Sequence, residues 1–162
     1  MVLGRTVGAL AMVALAASPL AGQQVGSTAT PITVTDLNGA EVRLDARAAG
    51  KPMLLEFWAT WCEVCEALMP TVRAAHARFG QQVDFVGINV TVNESKARVA
   101  RWVEREKPPY RVMYDARGVA VRAFEAPATS YVVIIDAAGV IRYTGIGEDQ
   151  DLQAQLGKVV AR

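Results

Sequence analysis

The run Glu56-Phe57-Trp58-Ala59-Thr60-Trp61-Cys62-Glu63-Val64-Cys65-Glu66-Ala67-Leu68-Met69-Pro70 joins two apolar segments of different periodicity. Upstream, Met53 to Trp58 is apolar apart from Glu56 and predicts a short buried strand. Downstream, Glu63 to Phe79 sets Val64, Leu68, Val72, Ala75 and Phe79 at helical spacing, with Gly80 ending the helix as a C-cap would. Cys62 therefore falls where strand passes into helix, beside unpaired backbone N–H groups and the positive end of the helix dipole. Both favour the thiolate, which is the nucleophilic form. Cys65 lies one turn into the helix on the same face, so the two sulfurs can meet. The arrangement suits thiol–disulfide exchange. Cys62 attacks a substrate disulfide, and Cys65 then attacks Cys62 and releases the reduced substrate. Glu63 and Glu66 act against the thiolate.

Other uses of two cysteines fit less well. A structural zinc site needs four ligands, and the only other soft donor is the single His76, so neither metal nor cofactor is expected. A purely structural bridge between positions this close would restrain little unfolded-chain entropy. The rest of the composition sets bounds. The chain has 162 residues, 52% hydrophobic and 20% charged, which suits one globular domain and excludes disorder. A net charge of +1 gives no field for nucleic acid or an anionic membrane.

The N-terminus reads separately. Arg5 is followed by an apolar run from Val7 to Ala17, the break Ser18-Pro19, and small residues at Ala21 and Gly22. That is the pattern of a secretory signal, too short for a transmembrane helix of about 20 apolar residues. The expected organisation is a signal peptide at 1–22, a flexible tether at 23–30 and one domain at 31–162. The destination is periplasmic or otherwise exported, with membrane anchoring if the signal stays uncleaved. Outside the cytosol a lone cysteine pair tends to bridge, as either a structural staple or a redox group.

The domain alternates strands and helices. Hairpins are predicted at Ile32–Thr35 with Val42–Leu44, across Asn38-Gly39, and at Tyr131–Ile135 with Val140–Thr144. Further strands are predicted at Val83–Val90 and Arg111–Tyr114. Helices are predicted at Glu94–Lys107, stopped by Pro108-Pro109, at Gly118–Phe124, and at Asp149–Val160. This gives an α/β fold: a mixed central sheet with helices on both faces and an added N-terminal β-hairpin. Trp61 is read as a partly exposed wall of the active-site groove, Trp58 and Trp102 as core, and His76 as solvated.

Phe57-Trp58-Ala59-Thr60-Trp61-Cys62-Glu63-Val64-Cys65 with Pro70 resembles the thioredoxin superfamily. Leu37 to Leu44 followed by Gly50-Lys51-Pro52-Met53-Leu54-Leu55 narrows the resemblance to the TlpA/ResA/CcmG group of exported thiol–disulfide oxidoreductases, over about residues 31–160. It implies a thioredoxin fold and a reductant of cysteines in exported proteins, cytochrome c maturation included. The partners it implies are cysteine-containing exported proteins, with a membrane thiol-reducing donor as one source of electrons and no nucleic acid. It sets no oligomeric state. The resemblance also implies that Glu56 is the buried acid that exchanges protons with Cys65, and burial in a central strand should raise its pKa. A second acid, carried by many of these relatives three residues after the second cysteine, is replaced here by Leu68. The substrate-docking cis-proline of the family falls by spacing on Ser130, after Thr129, while the nearest proline is Pro127. Trp61, Thr129, Ser130 and Pro127 are thus the expected substrate-binding residues. The alternatives are a disulfide oxidase or isomerase of the same fold, or a non-catalytic redox-sensing or metal-binding module.

Overall fold

The computed structural model describes residues 23–161; the predicted signal peptide lies outside them. The chain is assembled around β3 (Met53–Trp58), all six of whose residues are buried, as an apolar strand without alternation requires. β3 pairs in parallel with β4 (Asp84–Asn89) and antiparallel with β6 (Tyr131–Ile135). Beyond β4 lie β5 (Arg111–Tyr114), parallel to it, then β1 (Ile32–Asp36) and β2 (Glu41–Leu44), each antiparallel to its neighbour. Beyond β6 lies β7 (Ile141–Gly145). The sheet order is β2-β1-β5-β4-β3-β6-β7, so the N-terminal hairpin extends the sheet past β5.

Period-two alternation along β3 divides the core in two. Leu54 and Trp58 face a layer containing Leu68 and Val72 of α2 (Glu63–Phe79), Val99 of α3 (Lys96–Glu106), and Leu152 and Leu156 of α5 (Leu152–Val160). Met53, Leu55 and Phe57 face the other way, against Ile32, Val34, Phe124, and Ala120 of α4 (Val119–Ala123). Each large apolar side chain sealed in this way contributes about 1.5–3 kcal/mol of transfer free energy. Glu56 alternates with Leu55 and Phe57, so it shares the face of Leu54 and Trp58.

Several boundaries differ from those predicted, for local reasons. α3 starts at Lys96 because the Ser95 side chain caps Arg98 N–H, which leaves Glu94 outside the helix. α5 starts at Leu152 because Asp151 caps Ala154 N–H. A one-turn helix, α1 (Ala46–Ala49), was not predicted; Asp45 caps it, and Gly50 closes it at φ 59°. Val64 was expected inward but is exposed, because the inner stripe of α2 runs through Cys65, Leu68, Val72, Ala75 and Phe79. Gly80 does end α2, but in right-handed backbone; a Cβ there would sit 2.7 Å from His76 O, so close approach explains the glycine. His76 is half-buried, with its ring edge-on to Phe85 at 5.1 Å, not solvated as predicted. Trp102 is only partly buried, over Trp58 at 4.3 Å. The segment predicted as a tether is bonded to the β6–β7 hairpin: Gly26 N–H donates to Ile141 O, and Ala29 N–H to Gly139 O.

Candidate active site

Cys62 is the N-cap of α2 and is disulfide-bonded to Cys65, with Cα atoms 5.2 Å apart. Cys65 N–H donates to Cys62 Sγ at 3.1 Å. A side chain at an N-cap ordinarily satisfies such an N–H with oxygen; here sulfur takes that place. After reduction the same donor faces the Cys62 thiolate and stabilises it. Both cysteines are buried, Cys62 at the helix start slightly less so than Cys65. Exposed Glu63 and Glu66 stand in the same first turn of α2.

The loop that presents Cys62 is held by the one after β4. Thr60 N–H donates to a Glu94 carboxylate oxygen, Trp61 Nε1–H to Val92 O at 2.8 Å, and Val90 N–H to Trp58 O at 3.0 Å. Thr91 and Asn93 in that loop have φ of 61° and 52°, left-handed backbone that asparagine tolerates better than threonine. Trp61 remains 47% exposed beside the disulfide, as a wall residue should.

Glu56 is fully buried, and neither carboxyl oxygen has a hydrogen-bond partner. Loss of hydration pushes its pKa from 4.5 up to about 8, against a smaller opposing pull from the Tyr110 hydroxyl. The phenol is near enough to favour the carboxylate, yet the pair falls short of hydrogen-bond geometry and both groups are unpartnered. Burial first, then the Glu56 charge, raises the Tyr110 pKa well above 10. A cleft of about 220 Å³ is lined by exposed Trp61 and Glu66, by Cys62 and Cys65, and by buried Trp58 and Tyr110.

On another side of Trp61 an apolar groove of about 510 Å³ is lined by Trp61, Val92, Val121, Ala126, Pro127 and Thr129. Three of the predicted substrate-binding residues thus meet in one place. The fourth, Ser130, is not among the lining residues. It is buried at φ 62°, with its N–H on Phe57 O, its hydroxyl accepting from Gly147 N–H, and its carbonyl accepting from Gln150 Nε2–H. Among the described residues every peptide bond is trans. Ser130 therefore lies next to β3, and its polar groups fasten the start of β6 to the turn before α5.

Three residues at the site escaped the sequence reading: Glu94, Tyr110 and Gly87. Gly87 lies directly across from Glu56 in the β3–β4 register. A lone glycine inside an apolar strand is the standard signal of a close approach, and it was there to be read. Tyr110 had only the preceding prolines to mark it. Among the described residues no group of three or more His, Cys, Asp or Glu is placed to hold a metal ion.

The family model described as Redoxin matches residues 24–159. The chain is 32% identical over 139 residues to the thiol-disulfide oxidoreductase ResA of Geobacillus kaustophilus, covering 83% of this chain and 78% of that protein. It is 36% identical over 106 residues to the thiol:disulfide interchange protein DsbE of Yersinia pestis, covering 63% of this chain and 52% of that protein. The crystal structure of the thioredoxin domain of a thiol-disulfide oxidoreductase from Bacteroides vulgatus matches with a TM-score of 0.71 at 22% identity, covering 85% of this chain and 98% of that one. That likeness shows the thioredoxin fold. With the family match spanning nearly all the described residues, the chain belongs to the Redoxin family and is a thiol–disulfide oxidoreductase.

Proposed function

We propose that the protein is exported and works as a reductant of disulfides in other exported proteins, cytochrome c precursors among them. The observation that carries the redox role is the Cys62–Cys65 pair at the start of α2, with Cys62 Sγ accepting from the Cys65 backbone N–H. Export is supported by the apolar run Val7–Ala17 after Arg5. Among the described residues no helix is long and apolar enough to cross a membrane. The resemblance to the TlpA/ResA/CcmG group supports the reductive direction.

The working cycle begins with the dithiol. The Cys62 thiolate attacks one sulfur of the substrate disulfide, and the other substrate sulfur leaves as a thiolate. Cys65 gives up its proton to the ionised fraction of Glu56, which grows as the pH approaches 8, and the Cys65 thiolate attacks Cys62 Sγ. The bond between Cys62 and the substrate breaks, and the second substrate thiolate departs. Two electrons have then passed from the cysteine pair to the substrate. A membrane thiol donor restores the dithiol by the reverse sequence, with Glu56 returning the proton to Cys65. The groove lined by Trp61, Pro127 and Thr129 receives the apolar residues beside the substrate cysteine.

Two measurements test this. Replacing Cys65 by Ser should trap a mixed disulfide between Cys62 and an exported protein; an absence of adduct while Cys62 still reacts with a thiol reagent would overturn the mechanism. The reduction potential tests the direction. A value near or below about −270 mV supports a reductant, and one near about −120 mV makes the protein an oxidant.

A further inference from the structure

Glu56 does not line the cleft that holds Cys65, whereas Tyr110 does. The phenol is 9% exposed as a residue, its hydroxyl has no hydrogen-bond partner, and it is coupled electrostatically to the Glu56 carboxyl. Of the two cleft residues with a buried, unpartnered polar atom, Trp58 carries an indole N–H that only donates, whereas the Tyr110 hydroxyl can both accept and donate a proton. Packing alone does not account for a tyrosine here. A phenylalanine ring would fill the same space beside Trp58, whose ring centre lies 6.3 Å away, without burying an unpartnered hydroxyl.

The slot is built in the backbone. A Cβ on Gly87 would stand 2.4 Å from Tyr110 Cε2 and 2.9 Å from Trp58 Nε1, closer than real contacts allow. Only glycine at this position, across the sheet from Glu56, lets the aromatic ring lie against the strand. The other charge that acts on the phenol is the Arg73 guanidinium of α2, which is bonded to the carbonyls of Glu106 and Lys107. Exposed Glu63 and Glu66 and half-buried His76, also on α2, line the two clefts that Tyr110 borders, His76 together with Lys51, Asp84 and Arg111.

We propose that Tyr110 is the positioning residue that relays the proton between Cys65 and Glu56, in a slot that Gly87 leaves open. This rests on the base role of Glu56 given above. When the Cys65 thiol loses its proton, Tyr110 Oη accepts it and passes its own hydroxyl proton to the Glu56 carboxylate. The phenol is neutral before and after, and no electrons move in this step. When the pair is reduced again, both protons travel back. Burial holds the phenol protonated, which suits transfer through the hydroxyl and disfavours a stored phenolate.

The test separates the two chemical steps in the Tyr110→Phe variant of the full-length protein, using oxidised glutathione as the disulfide. The first attack by Cys62 is read in a Cys65→Ser background, and resolution by Cys65 in the native pair. The relay predicts resolution slowed about tenfold or more at pH 7. It also predicts loss of the pH inflection belonging to Glu56, with the first attack unchanged within twofold. Gly87→Ala should slow resolution in the same sense and add nothing to Tyr110→Phe. The relay is overturned by a Tyr110→Phe resolution rate and pH profile matching the native protein. It is equally overturned by slowing of both steps alike, as plain misfolding would give. If Glu56→Gln leaves resolution untouched, the base role fails together with the relay. Slowing by Glu56→Gln but not by Tyr110→Phe removes the relay alone.

Discussion

Replacing Glu56 by Gln keeps the shape of the side chain and removes one titration. In the fold this carboxyl is protonated up to about pH 8, while in the unfolded chain it ionises at its ordinary 4.5. Between those values the folded protein holds a proton that the unfolded chain has released, so raising the pH favours unfolding. Folding with this glutamate is therefore unpenalised in acid, loses ground steadily from about pH 5 to pH 8, and levels off once both states are ionised. The slope within the window is about 1.4 kcal/mol per pH unit. Integration gives a loss of about 2.5 kcal/mol between pH 5 and pH 7, and nearly 5 kcal/mol over the whole range. The burial is complete, so solvent screening does not reduce these figures. The assay is urea unfolding of the oxidised protein, native and Glu56→Gln, from pH 5 to pH 8.5, with the disulfide intact in both states so that no thiol titrates. A constant offset from the unpartnered amide cancels in the difference. The native protein should fall relative to the variant along the stated slope. If the two stability curves run parallel across this range, the carboxyl is hydrated or bonded in the fold, and the reasoning about its burial is wrong.

Other perturbations follow from single contacts. Leu68→Ala empties a fully buried site between α2 and the sheet and should lower stability by about 2–5 kcal/mol in urea titration. Glu94→Ala frees Thr60 N–H and should cost about 0.5–2 kcal/mol, with faster hydrogen exchange at Thr60 and Trp61 while α5 is unchanged. Asp136→Ala removes the carboxylate that binds Ala138 N–H, Val140 N–H and Arg142. Burial works against that carboxylate, but those bonds prevail and hold its pKa below 3.8. Its contribution is thus present above the ordinary value and lost as the pH falls through the lowered one. Loss of native stability in this variant at neutral pH, shrinking towards the acid limit, is the expected thermal-melt result.

The parts of the fold that were legible in the sequence are those governed by short-range pattern. β3 and α2 run between the residues where the apolar run and the helical spacing begin and end, and Cys62 occupies the helix start for that reason. The burial of Glu56 was legible too, because a lone acid in a strand of apolar neighbours has nowhere else to point. Val64 was misplaced because one apolar residue beside a stripe looks like part of it until the facing layer is known. α1 escaped because four residues carry no periodicity. The rest of the site depends on which strands become neighbours. Gly87 matters only once β4 lies against β3, and Tyr110 only once its ring covers that glycine. Glu94 reads as the first residue of a helix until a backbone N–H from another loop claims it. The hydrogen bonds of Ser130 to the segment before α5 are long-range and have no local signature.

The position of the N-terminal hairpin bears on the order in which the chain can fold. β1 can join β2 at once across the Asn38-Gly39 turn, but its other partner is β5, with Thr35 bonded to Tyr114, 79 residues further on. A chain threaded through a membrane N-terminus first would deliver this hairpin long before the strand it docks on. The core that Ile32 and Val34 enter is also completed late, since it includes Met113, Phe124 and Ile135. The hairpin also forms one border of the sheet, and its outer strand is only four residues long and carries exposed Glu41 and Arg43. Short, charged border strands resist pairing with other chains. The same segment thus waits for a distant strand and, once seated, guards one edge of the sheet.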